Sequence, residues 1–109
     1  YLNELKNTDL KLPYEEVKNK HVYHLFTVFH PKGRKISKLL KKFKIETRAI
    51  YPYPIHKMKA YKGLIKNKNR LTNSEKLSKG IFCLPLYPEL SVNEVKFICK
   101  KLRLILKKI

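Results

Sequence analysis

At 109 residues the chain falls within the size of one domain and buries roughly two-thirds of its unfolded surface, which suffices for a single core. Its 26 Lys and Arg against 8 Asp and Glu give a formal charge of +18, a footprint for phosphates, nucleic acid or an anionic membrane surface; the charge is carried mostly by lysine, which counts against bidentate reading of bases by arginine. Cys83 and Cys99 lie in apolar contexts without metal-type spacing and read as reduced core thiols, and neither a membrane-length apolar run nor a signal-peptide pattern is present, so the cytoplasm is the expected compartment.

Residues 1–6 read as a helix with no capping residue and no methionine ahead of it, so the chain is expected to begin inside an element, as a fragment does. Residues 7–20 carry turn formers, Pro13, Asp9, Glu15 and Glu16, and read as a surface connection. Residues 21–30 are rich in β-branched and aromatic side chains, apolar on both faces, and stop at Pro31, which predicts a central strand. On such a strand His21 and His24 point to opposite faces, and no further ligand stands at metal spacing. From Arg34 to Phe43 the spacing of Ile36, Leu39, Leu40 and Phe43 predicts an amphipathic helix, with Lys35, Lys38, Lys41 and Lys42 on a solvated arc. A short strand is expected over residues 45–51.

The stretch Tyr51-Pro52-Tyr53-Pro54-Ile55-His56 then leaves that strand. Each proline fixes its own φ and pushes the residue before it toward extended backbone, so the segment reads as a stiff ribbon that excludes helix and displays two phenols and an imidazole. Tyr61 with Lys62-Gly63 suggests one helical turn, and residues 66–70 a basic loop or flap. Thr72-Asn73-Ser74-Glu75 has capping-box spacing for a short helix that Gly80 closes, and residues 81–84 form an apolar run, hence a buried strand, stopped by Pro85. A second box, Ser91-Val92-Asn93-Glu94, opens the best-specified helix, in which Val95, Ile98, Cys99, Leu102, Ile105, Leu106 and Ile109 follow the helical period; Phe97 and Leu104 lie off it, open to a neighbouring domain or subunit.

Four pieces, in order, carry a resemblance. His21-Val22-Tyr23-His24-Leu25-Phe26, Lys44-Ile45-Glu46-Thr47-Arg48, Tyr51-Pro52-x-Pro54-Ile55-His56 with Tyr61 beyond it, and Leu84-Pro85-Leu86-Tyr87-Pro88-Glu89-Leu90 resemble the C-terminal region of the DegT-type nucleotide-sugar aminotransferases, fold-type I enzymes that use pyridoxal phosphate. The chain departs from the family pattern at Ile50, Lys44 and Lys59, where a histidine, a glycine and a proline are common. The resemblance implies an α+β fold, a two-layer small domain with a small, mainly antiparallel sheet covered by helices. It assigns residues 1–20 to the end of an inter-domain helix and its connection and residues 21–109 to the small domain, with the large cofactor-binding domain elsewhere.

Transamination needs a Schiff-base lysine, an acid at the pyridinium nitrogen and a phosphate cup. Nothing singles out one lysine, the only aspartate is Asp9 in the connection, and no glycine- or serine-rich cup appears, so this chain alone is expected to be inactive and to hold no cofactor. The resemblance implies pyridoxal 5′-phosphate in a parent homodimer, with a keto-sugar nucleotide as substrate and an amino acid such as glutamate as donor. It places Tyr51 and His56 toward the sugar nucleotide, with Arg48 and Tyr53 as further binding residues; a regular strand would put Arg48 on the side opposite Tyr51. The alternative is a stand-alone basic domain holding nucleic acid through the lysine-rich helix and residues 66–70.

Overall fold

A computed structural model of the chain describes residues 1–61, 64 and 71–109. Two strands, β1 (Phe26–Phe29) and β2 (Ile81–Leu84), pair antiparallel with Phe26 opposite Leu84 and Phe29 opposite Ile81. Single antiparallel bridges widen this ladder on both sides, Lys11 to Phe29 at one edge and Arg48 to Cys83 at the other. The sheet is therefore narrower in regular structure than its sequence suggests, for two local reasons. Pro85 ends β2 after four residues, leaving residues before Phe26 without a partner, and Tyr23 sits at φ 47°, in the left-handed region, with its amide donating to His21 Nδ1 at 2.9 Å.

The strand expected over residues 45–51 is likewise reduced to one residue: Arg48 exchanges backbone hydrogen bonds with Cys83, at 3.3 and 2.8 Å, and the prolines at 52 and 54 prevent the ladder from continuing.

Helices cover one face of the sheet. α1 (Leu2–Leu5), α2 (Gly33–Lys41) and α4 (Val92–Leu106) enclose Phe26, Val28, Phe82 and Leu84 with Leu5, Leu10, Ile36, Leu40, Ile45, Ile98, Cys99, Leu102 and Ile105, the two layers expected of this α+β unit. The segment from Tyr1 to Leu10 is fastened to this core: Leu5 and Leu10 are buried in it, Arg103 donates to the Glu4 and Lys6 carbonyls, and the Tyr1 hydroxyl donates to the Pro85 carbonyl at 2.8 Å. Both cysteines are free and buried, and burial pushes the Cys99 thiol up to about 11. Phe97 and Leu104 are exposed, off the buried stripe as their spacing predicts.

The ends of the helices explain much of the local sequence. α2 closes with the Lys44 amide on the Lys41 carbonyl and the Ile45 amide on the Leu40 carbonyl, and Lys44 takes φ 59°, a left-handed position that glycine usually fills. At the start of α2, Gly33 lies so close to the last residue of α3 (Thr72–Gly80) that a Cβ on Gly33 would stand 2.1 Å from the Gly80 carbonyl oxygen. Ser91 and Glu94 form the expected capping box. The box expected at Thr72 does not form. Thr72 is already inside α3, Leu71 is the residue that caps it without a side-chain contact, and the Glu75 side chain is drawn to His56 and Lys57 instead.

Candidate functional site

The aromatic-proline ribbon runs along the surface from the Arg48 bridge. Residues 51–54 are non-helical, as the prolines require, but Ile55–Lys57 make a 3-10 turn and Lys59–Tyr61 a second, so the last two residues of the expected ribbon are bent rather than extended. This is a correction to the reading that the whole segment excludes helix. Pro54 fixes only its own φ and the residue before it, and it stands as the N-cap with ψ 148°, leaving Ile55 and His56 free to turn. The turn expected at 61–63 begins earlier, at Lys59; Lys62 and Gly63, like the basic loop at residues 66–70, lie outside the described residues.

Two side chains from neighbouring helices hold the ribbon. Arg34 of α2 donates from Nη2 to the Pro52 carbonyl at 3.0 Å. At the other end, His56 Nε2 lies 3.2 Å from Oε1 of Glu75 in α3, and Lys57 Nζ approaches the same oxygen at 3.5 Å. The imidazole and the carboxylate are largely shielded, their side chains 15% and 16% exposed, whereas Tyr51 and Tyr53 are 72% and 62% exposed. The ribbon therefore combines a held backbone with free phenol rings, an arrangement that offers hydrogen-bonding groups at low ordering cost.

Arg48 occupies separate ground. With Glu46 it lines two grooves, one of about 380 Å³ shared with Cys83, Leu86 and Tyr87, the other of about 400 Å³ shared with Ser37, Lys38 and Lys41. Its backbone is pinned to β2 while its side chain is exposed, so a cationic group is available for an anion there. Because only residue 48 of this segment pairs with the sheet, the alternation that would set Arg48 opposite Tyr51 does not apply. A larger groove of about 610 Å³ lies between the Lys11–Tyr14 segment, β1 and Leu77, and contains none of the four predicted residues.

Sequence reasoning missed Arg34 and Glu75. The single signal for Glu75 was its acidity in a chain with few acidic residues, and its capping-box spacing pointed to a local role; its approach to His56, nineteen positions away, exists only once α3 has docked. His21 and His24 are not brought to a shared site: His21 stacks on Tyr23 with ring centres 4.1 Å apart, and His24 is exposed.

Comparison with known proteins places this geometry in context. The model of the DegT/DnrJ/EryC1/StrS aminotransferase family matches residues 1–103. The chain is 35% identical over 82 residues to a dTDP-3-amino-3,4,6-trideoxy-alpha-D-glucose transaminase from Micromonospora megalomicea subsp. nigra, covering 74% of this chain and 22% of that protein. It is 30% identical over 95 residues to a pleiotropic regulatory protein from Geobacillus stearothermophilus, covering 86% of the chain and 26% of that protein. Among solved structures, the S. venezuelae DesV complex with a ketimine intermediate superposes with a TM-score of 0.89 at 25% identity, over 99% of this chain and 29% of that one. The chain thus spans about a quarter of the length of the curated relatives it matches, 26% and 22% for these two.

Proposed function

The chain belongs to the DegT/DnrJ/EryC1/StrS aminotransferase family, and on that premise we propose that it is the C-terminal small domain of a pyridoxal-phosphate-dependent aminotransferase acting on a keto-sugar nucleotide. In this reading residues 1–20 are the end of the inter-domain helix and its connection, residues 21–109 are the small domain, and the parent works in the cytoplasm as a homodimer with an amino acid such as glutamate as donor. The domain supplies one wall of the substrate cleft. Tyr51, Tyr53 and His56 meet the sugar nucleotide, and Arg48 answers a phosphate.

The observation that carries the reading is the tethered ribbon, whose backbone is held by Arg34 and whose final turn is held by Glu75 while Tyr51 and Tyr53 remain exposed. The described residues do not fit the cofactor itself. Asp9, the only aspartate, is exposed in the connection, and the sequence carries no glycine- or serine-rich run for a phosphate cup, so this reading gives Schiff-base chemistry to the remainder of the parent. The chain's own residues bind and orient the substrate.

The test is steady-state kinetics of the parent enzyme carrying Tyr51→Phe or His56→Asn. Loss of one hydrogen bond to the sugar nucleotide raises KM by about three- to tenfold. Unchanged constants in both variants would overturn the assignment of the ribbon to the cleft.

A further inference from the structure

The contact between His56 and Glu75 fixes more than the position of the imidazole. An ionised carboxylate only accepts hydrogen bonds, and a neutral imidazole carries one N–H donor and one lone-pair acceptor. With Glu75 Oε1 at 3.2 Å from Nε2, and the Lys57 ammonium 3.5 Å from the same oxygen, the hydrogen bond requires the imidazole proton to be on Nε2. In the neutral ring Nδ1 is then the acceptor. The partners are nineteen residues apart and both largely shielded, so the bond is set by the docking of α3 and not by the local turn.

We infer that Glu75 is a positioning residue that holds His56 as an Nδ1 acceptor, which matches the imidazole to a donor group on the substrate, a hydroxyl or an N–H, and not to a diphosphate oxygen. This rests on the reading of the ribbon as a cleft wall and sharpens it. A diphosphate oxygen presents lone pairs, so an Nδ1 lone pair facing it would meet repulsion. Arg48, on its own groove, is the residue suited to phosphate. His56 is left to the sugar. The 3-10 turn brings His56 and Lys57 in succession to one carboxylate oxygen once α3 is docked.

The experiment has two readouts. In the ¹⁵N-labelled chain, long-range proton–nitrogen correlation of the imidazoles, with His56 assigned by its loss in His56→Asn, is expected to show a protonated Nε2 and a pyridine-like Nδ1. Glu75→Gln, whose amide oxygen still accepts, retains that pattern, and Glu75→Leu shifts His56 to a mixture of tautomers. A protonated Nδ1 in the unsubstituted chain, or the same tautomer in Glu75→Leu, overturns the inference. In the parent enzyme, Glu75→Leu is expected to raise KM for the sugar nucleotide about three- to tenfold with little change in kcat, to leave inhibition by the nucleoside diphosphate alone unchanged, and to be rescued by Glu75→Gln. Equal weakening of both ligands would put His56 on the diphosphate and overturn the inference. The expected tautomer together with unchanged KM would instead remove the cleft-wall reading, and with it the assignment of a substrate donor to Nδ1.

Discussion

The last helix and the aromatic-proline ribbon are ordered by opposite means. In α4 the side chains of Ile98, Cys99, Leu102 and Ile105 are buried against the sheet and α2, and the backbone is fixed by its own hydrogen bonds and a capping box. Along the ribbon most side chains are exposed, and order comes from two prolines, the Arg34 contact and the Glu75 contact. A region built the first way is robust and chemically silent. The second leaves polar groups accessible while restricting where they sit, as a binding surface needs.

Substitutions on the two sides of this comparison should separate by size. Phe82→Ala, at a position 1% exposed, is expected to cost about 3–5 kcal/mol in denaturant-induced unfolding. Gly33→Ala comes next, at about 1–3 kcal/mol, because the new methyl meets backbone at Gly80 that cannot move aside cheaply. Ser91→Ala is expected to cost about 1 kcal/mol through the lost cap of α4. That loss carries a pH signature. The Ser91 hydroxyl, and then its amide, hold the Glu94 carboxyl below its usual range, so the stabilisation is present above the ordinary carboxylate pKa and is lost as pH falls through the folded value. The gap between Ser91→Ala and the unsubstituted chain should therefore narrow on acidification, and a gap that widens would break the account. Smallest is Tyr53→Ala, expected within about 0.5 kcal/mol; a core-sized loss there would show that the ribbon is a packing element after all.

The sequence was most legible where one signal acted alone. The helical period and the Ser91 box marked α4 because burial and capping agree there, and Pro85 marked the end of β2 for the same reason. Reading failed where a partner decides the outcome. Nothing in residues 21–25 reveals that β2 is too short to pair with them, and nothing in residues 45–51 limits pairing to Arg48. The ribbon was legible up to Pro54 through covalent geometry alone. Its bond to Glu75 depends on α3, and Lys44 takes a left-handed position that glycine usually fills, which its own side chain does not announce.

The glycine-to-glycine approach between α2 and α3 has a mechanical consequence. Arg34 follows Gly33 directly, and Glu75 lies one helical stretch before Gly80, so both grips on the ribbon belong to a pair of jaws whose gap is set where backbone meets backbone. Widening that gap by a single methyl group would stretch or slacken the strap between the jaws, and a substitution far from every phenol would retune the reach of them all.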